Sequence, residues 1–208
     1  MAKYNVKTQS LTLTEIIRKY HFISDACGED LGNISVEKVF QPHEKIVVQG
    51  EMANSLVLLA EGYTRVTFHK GEKEDTICFG SCGDLFASFH SLWANAPSAF
   101  GLEALTEAKC YLIPYRKFRW LEEKYPDLTH WLCIVLIEQM YSFEVLYRKM
   151  SMSSPEERLA SFMDFSADKL PTITPAELTN VVPLKLIAQY LGMTPQTLSK
   201  VRRKYVGR

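Results

Sequence analysis

Gln196, Ser199, Lys200 and Arg203 fall at i, i+3, i+4 and i+7, so a helix through them carries all four on one face. That set has the chemistry to read a DNA major groove. Lys and Arg can donate to guanine O6 and N7, Gln can pair with adenine, and Ser can serve bases or phosphates. From Leu178 to the C-terminus the chain has six Lys and Arg and no Asp or Glu, a local charge of +6. With a net charge of zero overall, residues 1–177 must sum to −6. A basic end favours phosphate contact, and the acidic remainder would orient the approach. Charge alone also fits a solvated amphipathic helix, so the flanking residues have to separate the two readings.

Those flanking residues belong to the segment LKLIAQYLGMTPQTLSKVRR, Leu184 to Arg203. Ile187, Ala188 and Leu191 have helical spacing, and Gly192 ends that helix where a positive φ is favoured. Thr194 followed by Pro195 reads as an N-cap and first-turn pair, so a second helix starts at Pro195. Leu198, Val201 and Tyr205 form its inward face. Small Ala188 lets the two helices cross closely, and Leu198 fills the gap between them. The spacing predicts a helix-turn-helix that holds the polar stripe outward.

The rest of the chain sets bounds. With 208 residues, 47% hydrophobic and 12% aromatic, it can bury a core and fits one to two domains. No apolar run approaches the roughly 18 residues of a membrane span, and MAKYNVKTQS lacks the apolar core of a secretory signal. A cytoplasmic protein without a membrane partner is expected. Cys27, Cys78, Cys82, Cys110 and Cys133 are odd in number and lack CxxC spacing, which argues against a disulfide framework or a zinc site. Buried free thiols are the simplest reading, with a Cys78–Cys82 redox contact as the alternative. His21, His43, His69, His90 and His130 occur singly, with no His-x-His pair, so no metal ligand is predicted. No nucleophile elbow, P-loop or Rossmann glycine pattern appears, and no enzyme is expected.

Periodicity divides the chain into three. LTEIIRKYHF reads as a short helix with Ile16, Ile17 and Tyr20 on one side. From about Val36 to Pro114, the runs VEKVF, KIVVQ, LVLLA, YTRVTF, TICF, FGLEAL and CYLIP are separated by Gly, Pro and Asn, the pattern of a sandwich or barrel. Gly71 and Glu72 turn one hairpin. Residues 115–125 then suggest a helix ending before Pro126, and no Pro or Gly follows until Pro155. Along this long helix Leu132, Leu136, Gln139, Phe143, Leu146 and Met150 alternate steps of four and three, the seam of a two-stranded coiled coil. A second copy of the chain would cover the seam; alternatively the helix packs on its own barrel, with Trp131 and Val135 on the adjacent stripe. Ser154, Pro155 and Glu157 form a capping box that opens a helix with Leu159, Phe162 and Met163 inward.

A β-roll preceded by a short helix, then one long helix and a C-terminal helix-turn-helix, resembles the Crp/Fnr family of bacterial transcription regulators over nearly the whole chain. The wording VPLKLIAQYLGMTPQTLSKVRRK looks like members from Bacteroidetes-type bacteria. The resemblance implies an α+β chain with three parts. Residues 1–126 are an antiparallel jelly-roll sensor of the cyclic-nucleotide-binding type with flanking helices. Residues 127–152 are the dimerisation helix, and 153–208 an all-α helix-turn-helix domain. It implies a homodimer on double-stranded DNA, with Gln196, Ser199, Lys200 and Arg203 toward bases and Thr194 and Thr197 toward phosphates. RNA polymerase is a further candidate partner.

The resemblance departs at the ligand cassette. The family's Gly-Glu pair, whose Glu holds the ribose, corresponds here to Ala87 and Ser88. The Arg-Ser/Thr-Ala element, whose Arg neutralises the cyclic phosphate, corresponds to Pro97, Ser98 and Ala99. Without that guanidinium a buried phosphate loses its strongest partner, so no cyclic AMP cofactor is expected. A different small effector, a purely structural roll or a protein-binding surface remain, and Phe89, His90 and Trp93 are either pocket-lining or core. With only Cys27 before residue 78, the family's N-terminal cysteine cluster for iron–sulfur is absent. Only Val206, Gly207 and Arg208 follow Tyr205, which leaves no room there for the hairpin wing of many members. The competing reading is a β-roll sensor or interaction module that does not bind DNA.

Overall fold

The computed structural model describes residues 11–152, 154–169 and 181–206. Helices α1 (Leu13–Arg18) and α2 (Asp25–Ile34) precede strands β1 (Val36–Phe40), β2 (Lys45–Val47), β3 (Ser55–Glu61), β4 (Thr64–Lys70), β5 (Lys73–Gly80) and β6 (Leu85–Phe86). Helix α3 (Phe89–Leu92), strands β7 (Gly101–Ala104) and β8 (Ala108–Pro114), and helices α4 (Tyr115–Lys124), α5 (Pro126–Met152) and α6 (Pro155–Lys169) follow. The last two are α7 (Leu184–Tyr190) and α8 (Pro195–Val206). Among the described residues the strands make two four-stranded sheets, β1-β8-β3-β6 and β2-β7-β4-β5, with no closed barrel. The roll predicted from short β-branched runs is therefore an α+β arrangement of two open antiparallel sheets with flanking helices.

Chain chemistry explains the main registers. Strand β3 reads SLVLLAE and is buried through its centre, so it occupies an interior position between β8 and β6. Ser55 pairs with Pro114 and Leu59 with Cys110, and the register shifts before Glu61 pairs with Lys109. Gly71 turns the β4–β5 hairpin at φ +62, a conformation that needs no Cβ penalty. The core below the first sheet joins Ile16 and Ile17 of α1, Cys27 and Leu31 of α2, Leu56 and Leu58 of β3, Phe118 and Leu121 of α4, and Leu128 and Trp131 of α5. Phe118 and Trp131 meet edge to face at 6.1 Å.

Three elements were not visible in the sequence pattern: α2, α3 and β6. Helix α2, DACGEDLGNI, contains two glycines and has poor intrinsic propensity. Tertiary packing overrides it. Ser24 caps it by accepting from Cys27 N at 3.2 Å, Cys27 and Leu31 are fully buried, and Gly28 lies where a Cβ would stand 3.0 Å from the Thr14 hydroxyl. Among the described residues, one compact unit comprises the chain up to Val66 together with Phe79–Val135; the second comprises Thr67–Cys78 and the chain from Leu136 onward. No helix among the described residues is long and apolar enough to cross a membrane.

Candidate nucleic-acid interface

Helix α7 ends in a Schellman arrangement. Met193 N donates to Ala188 O and Gly192 N to Gln189 O, both at 3.0 Å, with Gly192 at φ +60. Arg158 of α6 then donates to Leu191 O at 2.7 Å, satisfying another carbonyl that the helix end would leave open. Thr194 caps α8, accepting from Thr197 N at 3.1 Å, and its hydroxyl lies 2.9 Å from that of Thr197. Ile187, Ala188, Leu191, Leu198 and Val201 are buried, so Ala188 and Leu198 both face inward. The two Thr hydroxyls, which the resemblance assigns to phosphates, are engaged with each other and with the helix cap.

This packing fixes which face of α8 is free. Gln196, Lys200 and Arg203 are exposed, while Ser199 and Thr197 are half-buried and Thr194 is exposed. The four-residue stripe is thus three exposed side chains with Ser199 at its margin. Lys204 is ion-paired with Glu156 of α6 at 3.2 Å, which removes one cation from the basic end and ties α8 to α6. The Glu156 carboxyl is held below the usual range by its own backbone N–H, then by Lys204, with Lys200 adding attraction. The Ser154–Glu157 capping box of α6 forms as predicted: Ser154 N donates to the Glu157 carboxylate at 2.7 Å, and Glu157 N donates to the Ser154 hydroxyl at 3.3 Å. Leu159 and Phe162 are buried and Met163 half-buried.

One contact was not foreseen. Gln189 on α7 donates from Nε2 to Glu74 O at 3.0 Å and accepts from the Thr76 hydroxyl at 3.2 Å, so the β4–β5 hairpin is hydrogen-bonded to the first helix of the motif. Tyr190 beside it packs on Phe162 at 5.4 Å, and burial pushes its phenol well above the usual range. Gln189 reads in sequence only as a polar residue between buried ones, and nothing local marks its partners.

Within the roll, the degenerate cassette is occupied by its own bonds. Ser88 is buried and caps α3, accepting from Ser91 N, with the Ser91 hydroxyl 3.3 Å away. Ser98 is buried, its hydroxyl donating to Phe100 O at 2.8 Å and its backbone bonded to Gly50 and Glu51. Ala87 and Ala99 are half-buried and Pro97 is exposed. Phe89 and Trp93 are 50% and 80% exposed and His90 is exposed, so of the two alternatives for these residues the core one does not hold. They sit on α3 and its C-cap, a helix too short to bury them.

The roll does contain a buried guanidinium, which the sequence reading missed. Arg65 on β4 makes a two-pronged pair with Glu103 on β7, Nε to Oε1 at 3.2 Å and Nη2 to Oε2 at 3.0 Å, both residues being buried. Lys45 on β2 also bonds Glu103. Burial raises the Glu103 carboxyl, but the donors Lys45 and Arg65 outweigh it and hold it below the usual range.

Helix α5 buries one stripe of side chains and exposes another. Trp131 and Val135 are buried in the core of the first unit, and Leu132 packs against that core's edge. Further along, Leu136 is half-buried, Gln139 exposed and Phe143 59% exposed; the side chains of Leu146 and Met150 lie outside those described. The thiols are free, and Cys27 and Cys110 match the buried expectation, burial pushing them to about 11 and about 12. Cys78 and Cys82 are half-buried, and Cys133 is exposed, contrary to it.

Residues 37–125 match the family of cyclic nucleotide-binding domains. The fold is shared with solved structures of regulators. FixK2 from Bradyrhizobium japonicum is similar at TM-score 0.70 and 17% identity, with 82% of this chain and 84% of that one covered. The c-di-GMP responsive global regulator CLP of Xanthomonas campestris matches at 0.69 and 12%, covering 88% and 92%. A protein from Eubacterium rectale described as a transcriptional regulator of the Crp/Fnr family matches at 0.67 and 16%, covering 88% and 83%. No curated protein matches the sequence significantly. Residues 37–125 thus resemble a cyclic nucleotide-binding domain, and the chain shares its fold with solved structures of Crp/Fnr-type regulators.

Proposed function

We propose that the protein is a Crp/Fnr-type transcription regulator, a cytoplasmic homodimer and not an enzyme, that binds an imperfect palindrome in double-stranded DNA. The observation that carries this reading is the exposed set Gln196, Lys200 and Arg203 on a helix locked by the Schellman turn at Gly192 and the Thr194 cap. Two such helices in a two-fold dimer enter successive major grooves about one helical turn, roughly 34 Å, apart. Ser199, Thr194 and Thr197 supply further contacts to bases or phosphates. In this scheme residues 1–126 are the sensor roll, 127–152 the dimerisation helix with Leu132, Leu136, Gln139, Phe143, Leu146 and Met150 as its seam, and 153–208 the reader. The helix-turn-helix wording favours a Bacteroidetes-type member, and RNA polymerase is its downstream partner.

Selection of DNA from a random library by the purified chain tests the proposal, the expected outcome being a two-fold-symmetric site. Lys200→Ala and Arg203→Ala should each weaken binding to that site by roughly 1–3 kcal/mol at fixed salt. If both variants bind as the wild type does, the assignment of α8 as reader fails. If no site is recovered at all, the roll is a sensor or interaction module.

A further inference from the structure

Five histidines that read as isolated in the sequence are not equivalent in the fold. His43 lies 3.5 Å from Glu103 and His69 2.7 Å from Glu74, each engaged with a carboxylate. His21 and His130 instead face each other, their rings edge to face with centroids 5.7 Å apart. Asp127 stands one turn before His130 on α5, and a ligating atom from each of the three lies within 4.8 Å of the others. Two imidazoles and one carboxylate are the donor set of borderline divalent metals, with a fourth position left for water or a further ligand.

We propose that His21, Asp127 and His130 form a binding site for a divalent transition metal, with zinc the best match to the donors. The scaffold is already rigid. His21 follows α1, where its backbone N donates to Ile17 O at 3.1 Å and Ile16 and Ile17 are fully buried. Asp127 and His130 project from the first turns of α5, whose rotation is fixed by the fully buried Leu128 and Trp131. All three belong to one compact unit. Tetrahedral coordination at metal–ligand distances of about 2.1 Å needs donor atoms roughly 3.4 Å apart. His130 is exposed and His21 and Asp127 half-buried, so their side chains have room to turn toward that spacing. The bound ion would clip the segment after α1 to the start of α5.

The test uses the purified full chain stripped of metal. Zinc titrated calorimetrically should bind at one equivalent per chain. At a hundredfold excess over its dissociation constant it should raise the melting temperature by roughly 5 °C or more. Cobalt should give the intense visible absorption of a four-coordinate site. His130→Gln and Asp127→Asn, both at positions that bear no core packing, should keep the wild-type circular dichroism and lose at least tenfold in zinc affinity. His69→Gln and Cys133→Ser should retain it. Absence of wild-type binding overturns the site, as does affinity unchanged in His130→Gln and Asp127→Asn or lost in either control.

Discussion

Replacing Glu103 by Gln would leave the buried Arg65 guanidinium without its counter-charge, and the two-pronged geometry leaves no neutral substitute that satisfies both prongs equally. Stability should fall by on the order of 3 kcal/mol, read as a lowered urea midpoint with unchanged slope. The pH dependence has a definite sign. The folded Glu103 carboxyl lies below its unfolded value of about 4.3, so its contribution is complete above that value and disappears as pH falls through the lower folded value. The difference in midpoint between wild type and Glu103→Gln should therefore shrink in acid; a constant difference down to pH 3 would contradict the ion pair's role. At this scale the sequence was legible where a residue's job is local. Gly192, Thr194 and Ser154 act on bonds within a few positions, and their roles could be read from spacing. Arg65 with Glu103, Gln189 with the hairpin, and His21 with His130 depend on residues many positions away, and no spacing rule joins them.

Elements were legible in proportion to how far their pattern alone decides them. The strands between Val36 and Pro114, the ends of α4 and α5 around Pro126, and the start of α8 at Pro195 follow from apolar runs, proline and caps. Helix α2 does not, because burial of Cys27 and Leu31 rather than its glycine-containing sequence stabilises it. The long helix α5 shows how one element serves two purposes. Trp131 and Val135 belong to the roll's core, while Met140, Phe143 and Tyr147 are 67%, 59% and 68% exposed. At about 100° per residue, Met140 and Tyr147 flank the Leu136–Phe143 line, whereas Ile137 and Tyr141 lie farther round. The proposed dimer seam is thus wider than the alternating heptad positions. Phe143→Lys would place two charges in that seam, and the dimer dissociation constant should rise at least a hundredfold, about 3 kcal/mol. Ile137→Lys should change it little. Sedimentation equilibrium distinguishes the two, and an unaltered dimer in Phe143→Lys would move the interface elsewhere.

For the whole molecule, the central tension is between a roll that matches a cyclic nucleotide-binding domain and a cassette that, as the resemblance places it, lacks the usual holders of the nucleotide. The structure narrows what could substitute for them. Pro97, which the resemblance sets at the position of the phosphate-binding Arg, is exposed and has neither a charge nor an N–H. Ser88, which the resemblance sets at the position of the ribose-binding Glu, spends its hydroxyl on the cap of α3, and Ser98 donates to Phe100 O. The one buried arginine among the roll's described residues is already neutralised by Glu103, so recruiting it to a phosphate would strand that carboxylate in turn. Cyclic AMP at millimolar concentration should therefore leave the melting temperature of the full chain unchanged. It should also leave unchanged the affinity for whichever palindrome the selection recovers. A dose-dependent rise in melting temperature would show that the ligand is held by other groups. If the rise were the same in Glu103→Gln, freeing Arg65 from its counter-charge would add nothing to it. If it appeared only in that variant, Glu103 would be the residue that closes an otherwise competent phosphate site.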